Sequence, residues 1–334
     1  MTADILERIN IMKKRLISIL LALILTLQLG ITAFADTETP IVSPTDVDIY
    51  GVSIVLSGEI GLTFHVKVGK PYWGGTMELK FKEKEDSAPI TLNIKDCPSE
   101  GLTLFTATYY LSAIELSEPV MITVFDANHK MLAQDSCSAQ EYVNLLRFDE
   151  KATEKEKKVG ISLIKYGHYA QLACSETNGW EIGKDYKETT CPETDELQFD
   201  AGVFDDYEII WKNHTAEFNQ FLMSLQLDYK TGIHLYLPLK EKPTVTVNGE
   251  AVEVTASERY ENHYEIYIDG INAFNLEEEY EVTVNDVTFT LSAFSFCNLV
   301  VSNGGNENTV NAMRALYEFY QAIIDYKTAK GVSE

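Results

Sequence analysis

The chain has 334 residues, with 51 Asp and Glu against 27 Lys and Arg and a formal net charge of −24. That length exceeds what one hydrophobic core usually organises, so two domains are expected. A surface so acidic is the wrong sign for nucleic acid or anionic lipid, whose binding draws on Lys and Arg contacts to phosphate.

The N-terminus carries an address. Met12-Lys13-Lys14-Arg15 is a short basic stretch, Leu16 to Ile31 is an apolar run, and Ala33-Phe34-Ala35 is a small-x-small cleavage pattern. The run is shorter than the ~20 residues a spanning helix prefers. Residues 1–35 therefore read as a signal peptide, with Met12 a candidate true start. No stable membrane insertion is expected after cleavage. The mature chain would begin at Asp36, outside the cell, released or held non-covalently at the surface. Cleavage removes four basic and two acidic residues and leaves 23 against 49, a net charge of −26.

From Val47 on, short β-branched and aromatic runs bounded by Gly, Pro or charged turns predict strands: VDIYGVSIVL, LTFHVKV, TMELKFK, LFTATYY and VMITVF. Capping-box spacings at Ser138/Glu141 and Thr153/Glu156 then predict helices. Val159, Leu163, Tyr166 and Ala170 fall on one helical stripe, which reads as core. The polar, aperiodic stretch 175–202 reads as a linker. FLMSLQLDY, IHLYLPL, PTVTVNG, HYEIYIDG and EYEVTVND repeat the strand pattern, with Asn248-Gly249 a type I′ hairpin signal. A second stripe (Val310, Met313, Leu316, Tyr320, Ile323) closes the chain.

The two halves resemble each other in order. Ser53 falls on Ser224, Gly61 on Gly232, Ala113 on Ala273, Leu116 on Leu276, Thr123 on Thr283, Ser138 on Ser292 and Asn144 on Asn298. Ordered matches at shrinking offsets indicate duplication. The expectation is an α+β, mostly β protein of two similar antiparallel β-sandwich-like halves, 46–174 and 203–329, each closed by a C-terminal helix. Gly61 and Gly232 are expected to make the same bend between strands. The series V-S-x-x-L-x-G-x-I-G-L-x-F, LIKYGHYAQLA, TGIHLYL and ALYEFYQAIIDY resembles a recurring module of secreted and surface proteins of anaerobic Gram-positive bacteria. That module keeps company with cell-wall and glycan-associated domains and has no assigned activity, so the resemblance implies a setting and no functional residues.

Chemistry is sparse. There is no nucleophile elbow, zinc-protease helix, phosphate loop or calcium loop in the sequence. The five cysteines are odd in number and none forms C-x-x-C, so neither a zinc site nor a full disulfide framework is expected, and no cofactor. Cys174 and Cys191 could close a loop of 16 residues, worth about 3 kcal/mol; the bland reading is a set of half-buried thiols. The six histidines are dispersed, and His65 and His234 read as edge-of-sheet residues. Asp205, Asp206 and Glu208, beside Phe204, Tyr207 and Trp211, form the densest acid cluster near aromatics, a pattern that also suits a half-exposed strand. Glu277-Glu278-Glu279 reads as a solvated turn. Trp73 and Trp180, next to Gly in unpatterned segments, are the candidate ligand-binding aromatics, against the reading that each caps a sandwich. The sequence points to a non-catalytic extracellular module that binds glycan or cell-wall polymer. A carbohydrate-active hydrolase and a structural spacer are the other readings.

Overall fold

The computed structural model describes residues 46–56, 59–84, 87–191, 202–227 and 231–330. The signal-peptide reading and residues 192–201 of the linker lie outside the described residues.

In the first half, β1 (Val47–Val55), β2 (Gly61–Val68), β5 (Ser99–Glu100) and β6 (Leu104–Tyr110) form one antiparallel sheet in the order β1-β2-β6-β5. β3 (Thr76–Phe81), β4 (Ile90–Asn93), β7 (Val120–Phe125) and β8 (Met131–Cys137) form another, β4-β3-β7-β8. The period of two decides which face is which. In β3, Met77, Leu79 and Phe81 are buried while Thr76, Glu78 and Lys80 are not. In β2, Leu62, Phe64, Val66 and Val68 are fully enclosed. Each such side chain contributes about 1.5–3 kcal/mol relative to exposure, which fixes the register of both sheets. Phe81 of β3 meets Tyr109 of β6 edge-on at 5.1 Å, joining the two inner faces.

The second half repeats this plan strand for strand. β10 (Leu222–Leu227), β11 (Thr231–Leu237), β14 (Thr255–Ala256) and β15 (Tyr264–Ile271) run β10-β11-β15-β14. β12 (Val245–Val247), β13 (Glu250–Ala251), β16 (Tyr280–Val284) and β17 (Val287–Leu291) run β13-β12-β16-β17, with β9 (Ile210–Trp211) added on the outer edge of β17. Phe221, just before β10, stacks on Phe289 of β17 at 4.6 Å. Both halves therefore have the strand order of an immunoglobulin-type Greek-key sandwich, A-B-E-D on one sheet and C-F-G with an extra edge strand on the other. The Asn248-Gly249 hairpin forms as expected, with φ of 51° and 81° and Val247 opposite Glu250.

Each sandwich runs into two helices. α1 (Ala139–Phe148) opens on the expected box, Ser138 Oγ accepting from Glu141 N at 3.1 Å and Glu141 Oε2 from Ser138 N at 2.8 Å. α2 (Glu154–Asn178) opens on the second, with Thr153 N donating to Glu156 Oε2 at 2.7 Å. In the second half α3 (Ala293–Ser302) uses Ser292 with Ser295 in place of the glutamate, and α4 (Glu307–Lys330) ends the described chain. Apart from half-buried Val310, the predicted stripes are core: Leu163, Tyr166, Met313, Leu316 and Tyr320 are all nearly inaccessible. By its contacts the chain forms two compact units. One comprises the described residues up to Leu111 with those of Leu116–Lys157, the other Ser112–Glu115 with the described residues from Lys158 on. The boundary falls inside α2 because the rest of that helix packs antiparallel against α4. Lys158 meets Asp325 at 3.2 Å, Lys165 meets Glu318 at 2.8 Å, and Asn308 Nδ2 donates to Glu176 at 2.6 Å. Tyr166 stacks on Phe319 at their centre.

One local expectation is corrected. Gly61 and Gly232 do not make bends: Gly61 opens β2 and Gly232 is second in β11, both paired with neighbouring strands and without positive φ. They are glycines because a neighbour's side chain lies over the Cα, Thr108 and Tyr110 over Gly61 and Tyr267 over Gly232. The described part of the segment read as linker is tied to α2 by hydrogen bonds. Gln171 of α2 donates to Lys187 O and accepts from Thr189 N, and His168 Nδ1 bonds Thr189 O at 2.8 Å.

Candidate functional site

Strand alternation puts two sets of side chains on β10, β11 and β15. Ile233, Leu235, Ile266 and Ile268 face the core. The opposite face carries Ser224 and Gln226 from β10, Gly232, His234 and Tyr236 from β11, and Glu265, Tyr267 and Asp269 from β15. The register fixes who meets whom: Ser224 lies opposite His234, His234 opposite Tyr267, and Tyr236 opposite Glu265.

His234 is the hub. Its Nδ1 lies 2.6 Å from Glu265 Oε1 and so carries the hydrogen, while Nε2 sits 2.9 Å from the Gln226 side-chain oxygen. This partly exposed hydrogen bond holds the imidazole in one plane. Tyr267 lies beside that plane, with ring centroids 4.5 Å apart and 31° between planes. Tyr236 is parallel to the imidazole at 6.2 Å and packs edge-on against Tyr260 at 4.7 Å, over which Arg259 places its guanidinium. Tyr236 is buried beneath its neighbours, whereas Tyr267 is 36% exposed. The missing Cβ of Gly232 lets the Tyr267 ring lie down on the sheet: a Cβ there would come within 2.3 Å of its hydroxyl. A bulge sets Asp269 and Gly270, the latter at φ 75°, opposite the single Gly232 and leaves Asp269 exposed on the same face as Tyr267. The result is one flat aromatic surface bordered by a carboxylate, an imidazole–carboxylate pair and an amide. An apolar floor with a few fixed polar groups is the composition of a small-ligand site.

The first half does not carry this arrangement. Where the second half has His234, Tyr267 and Glu265, the equivalent strand positions hold Thr63, Thr108 and Thr106. Thr63 and Thr108 bond to each other at 2.7 Å. His65 stands where Tyr236 does, and its Nε2 takes Ser53 Oγ at 2.8 Å, as Tyr236 OH takes Ser224 Oγ at 3.3 Å. The equivalent hydroxyl bond is kept, but the tyrosine over the motif glycine is Tyr110, directly opposite Gly61, with threonines at the positions of His234, Glu265 and Tyr267. Neither histidine is at a sheet edge, contrary to the sequence reading: β2 and β11 are paired on both sides.

The residues singled out by sequence are scattered. Trp73 is half-buried at the end of the first sandwich, its Nε1 donating to Val68 O at 3.0 Å and its ring edge-on to Phe105. Trp180 lies in the other unit, in a tight loop with Tyr186 at 4.4 Å. Cys174 and Cys191 are each half-buried thiols, so the loop-closing disulfide is not formed in this structure. Burial raises the Cys174 thiol pKa and leaves it a poor nucleophile. Asp205, Asp206 and Tyr207 form a single 3₁₀ turn, not a strand. Tyr207 donates to Glu277 at 3.2 Å, and burial followed by the Glu277 charge pushes its phenol up to about 12. Among the described residues no His, Cys, Asp and Glu group is arranged to hold a metal ion, and no helix is long and apolar enough to cross a membrane.

Sequence reasoning passed over Tyr267, Glu265, Asp269 and Gln226. A signal existed in HYEIYIDG, where Glu265, Tyr267 and Asp269 alternate with Ile266 and Ile268 and so must share the face away from the core. No protein-family model, curated protein or solved structure matches this chain.

Proposed function

We propose that this protein is an extracellular, non-catalytic module that binds glycan or cell-wall polymer through the outer face of its second sandwich. The observation that carries the reading is Tyr267, exposed, lying over Gly232 and beside His234, with Glu265, Gln226 and Asp269 on the same face of the sheet. A sugar ring has an apolar C–H face that stacks on such a phenol and a rim of hydroxyls that donate to the carboxylates and accept from or donate to the amide. The signal-like segment 1–35 and the absence of a catalytic motif in the sequence support the same reading. Trp180 with Tyr186 is a second, smaller aromatic pair and belongs in the same experiment.

The test is affinity electrophoresis of the purified protein through gels cast with soluble polysaccharides and wall polymers. Tyr267→Ala should lose about 1–2 kcal/mol of binding, roughly five- to thirtyfold, without lowering the melting temperature by more than a few degrees. Retardation that survives in Tyr267→Ala and disappears in Trp180→Ala would move the site to the α2 loop. No retardation by any polymer would remove the binding reading.

A further inference from the structure

Resting on that binding face, we infer that its ligand is an uncharged glycan and that anionic polymers are turned away. Two carboxylates border Tyr267 along its own strand, Glu265 two residues before it and Asp269 two residues after. Glu265 is engaged by His234. Asp269 is exposed and stands at the bulge opposite Gly232, against which the Tyr267 ring rests. The adjacent turn adds exposed Glu258 and Glu261; its cation, Arg259, lies over Tyr260 rather than over Tyr267. His263, also in that turn, bonds Glu261 O at 2.9 Å. A phosphate or uronate stacked near Tyr267 would therefore meet like charge on both sides, within a molecule of net charge −24.

The same carboxylates suit a neutral sugar. A carboxylate has two oxygens and accepts two hydrogen bonds side by side, the geometry that adjacent sugar hydroxyls present. With the sugar's apolar face on Tyr267, Asp269 is the group placed to receive such a pair. Asp269 thus acts twice, as an acceptor for hydroxyls and as a barrier to anions.

The experiment uses matched derivatives of one backbone at a time: hydroxyethyl and carboxymethyl cellulose, then hydroxyethyl and carboxymethyl starch, with a wall teichoic acid as a further arm. At low salt the neutral form should retard the protein at least tenfold more strongly than its carboxymethyl partner, and added salt should narrow the gap. Asp269→Asn, which keeps one acceptor, should weaken retention by the neutral form severalfold. Asp269→Lys should narrow the neutral-to-anionic gap, with unchanged melting temperature as the check on folding. Tighter binding of the carboxymethyl form or of teichoic acid would overturn this inference and leave the binding reading standing. A gap unchanged in Asp269→Lys would also overturn it, by placing the discrimination away from this face. Retention by neither form of any backbone would overturn the inference together with the binding reading beneath it.

Discussion

Replacing Gly232 with Ala separates the ligand face from the fold. An ideal Cβ at this position falls 2.3 Å from the Tyr267 hydroxyl and Cε2 and 2.5 Å from Cζ, all closer than real carbon contacts allow. Something must move. The Gly232 backbone does not have positive φ, so the strand itself accepts alanine. The obstructing atoms are the far end of a ring that is 36% exposed, and so the ring swings outward. Overpacking in a closed core costs about 1–3 kcal/mol. Here the ring escapes to solvent, and the stiffer unfolded chain returns about 0.4–1 kcal/mol. The net change in stability should stay within about 1 kcal/mol, a shift of only a few degrees in melting temperature. Binding should fall about five- to thirtyfold, because the stacking surface no longer lies on the sheet. Gly61→Ala is the paired control: its Cβ would meet Thr108 Cγ2 at 2.8 Å and the Tyr110 ring at 3.2 Å, on the half where threonines stand in place of His234, Glu265 and Tyr267. Calorimetric melting and affinity gels read the two effects separately. A Gly232→Ala protein that binds normally, or one that melts more than about ten degrees lower, would refute the reasoning.

Trp73→Ala should cost about 2–3 kcal/mol of stability, below the ~3–5 of a fully enclosed aromatic, because Trp73 is half-buried against Phe105; denaturant unfolding measures it, and an unchanged midpoint would free Trp73 for a surface role. Alkaline pH should destabilise the fold through tyrosines. Burial, with Glu277 second, raises Tyr207 to about 12, and burial, with Glu278 second, raises Tyr280 to about 12, each from 10.0. The native state therefore holds the neutral phenols more strongly than the unfolded chain does, and this stability is complete below pH 10 and is lost as pH rises through 12. Melting temperature should fall across that window, and a rise there would contradict the assignment. Export should leave Asp36 as the first residue of protein recovered from culture supernatant, read by N-terminal sequencing; an intact Met1 or Met12 would remove the extracellular setting.

Legibility in the sequence followed the range of the forces involved. Strand alternation, the Asn248-Gly249 turn and the boxes at Ser138 and Thr153 are local, and they appear in the structure where the residues put them. The shared strand order of the two halves is legible in the ordered sequence matches, and Ser53 and Ser224 each keep a hydroxyl bond across the same strand pair. What escaped depends on partners distant in sequence. The use of Gly232 required knowing that Tyr267 would lie on it, 35 residues on. The antiparallel packing of α2 on α4 required pairing Lys165 with Glu318, which no local pattern specifies. Trp73 and Trp180 drew attention by standing next to Gly. Tyr267 was hidden in an ordinary-looking strand, and only the face it shares with Glu265 and Asp269 distinguishes it.

The most direct measurement is a chemical-shift titration of the purified protein with whichever neutral oligosaccharide corresponds to the strongest-retaining polymer. The account predicts saturation at one ligand per chain, with perturbations centred on Gly232, His234, Tyr267 and Asp269 and none at Ser53, Thr63 or Thr108. Perturbations centred on Trp73, or spread equally over the equivalent strands of both halves, would contradict it.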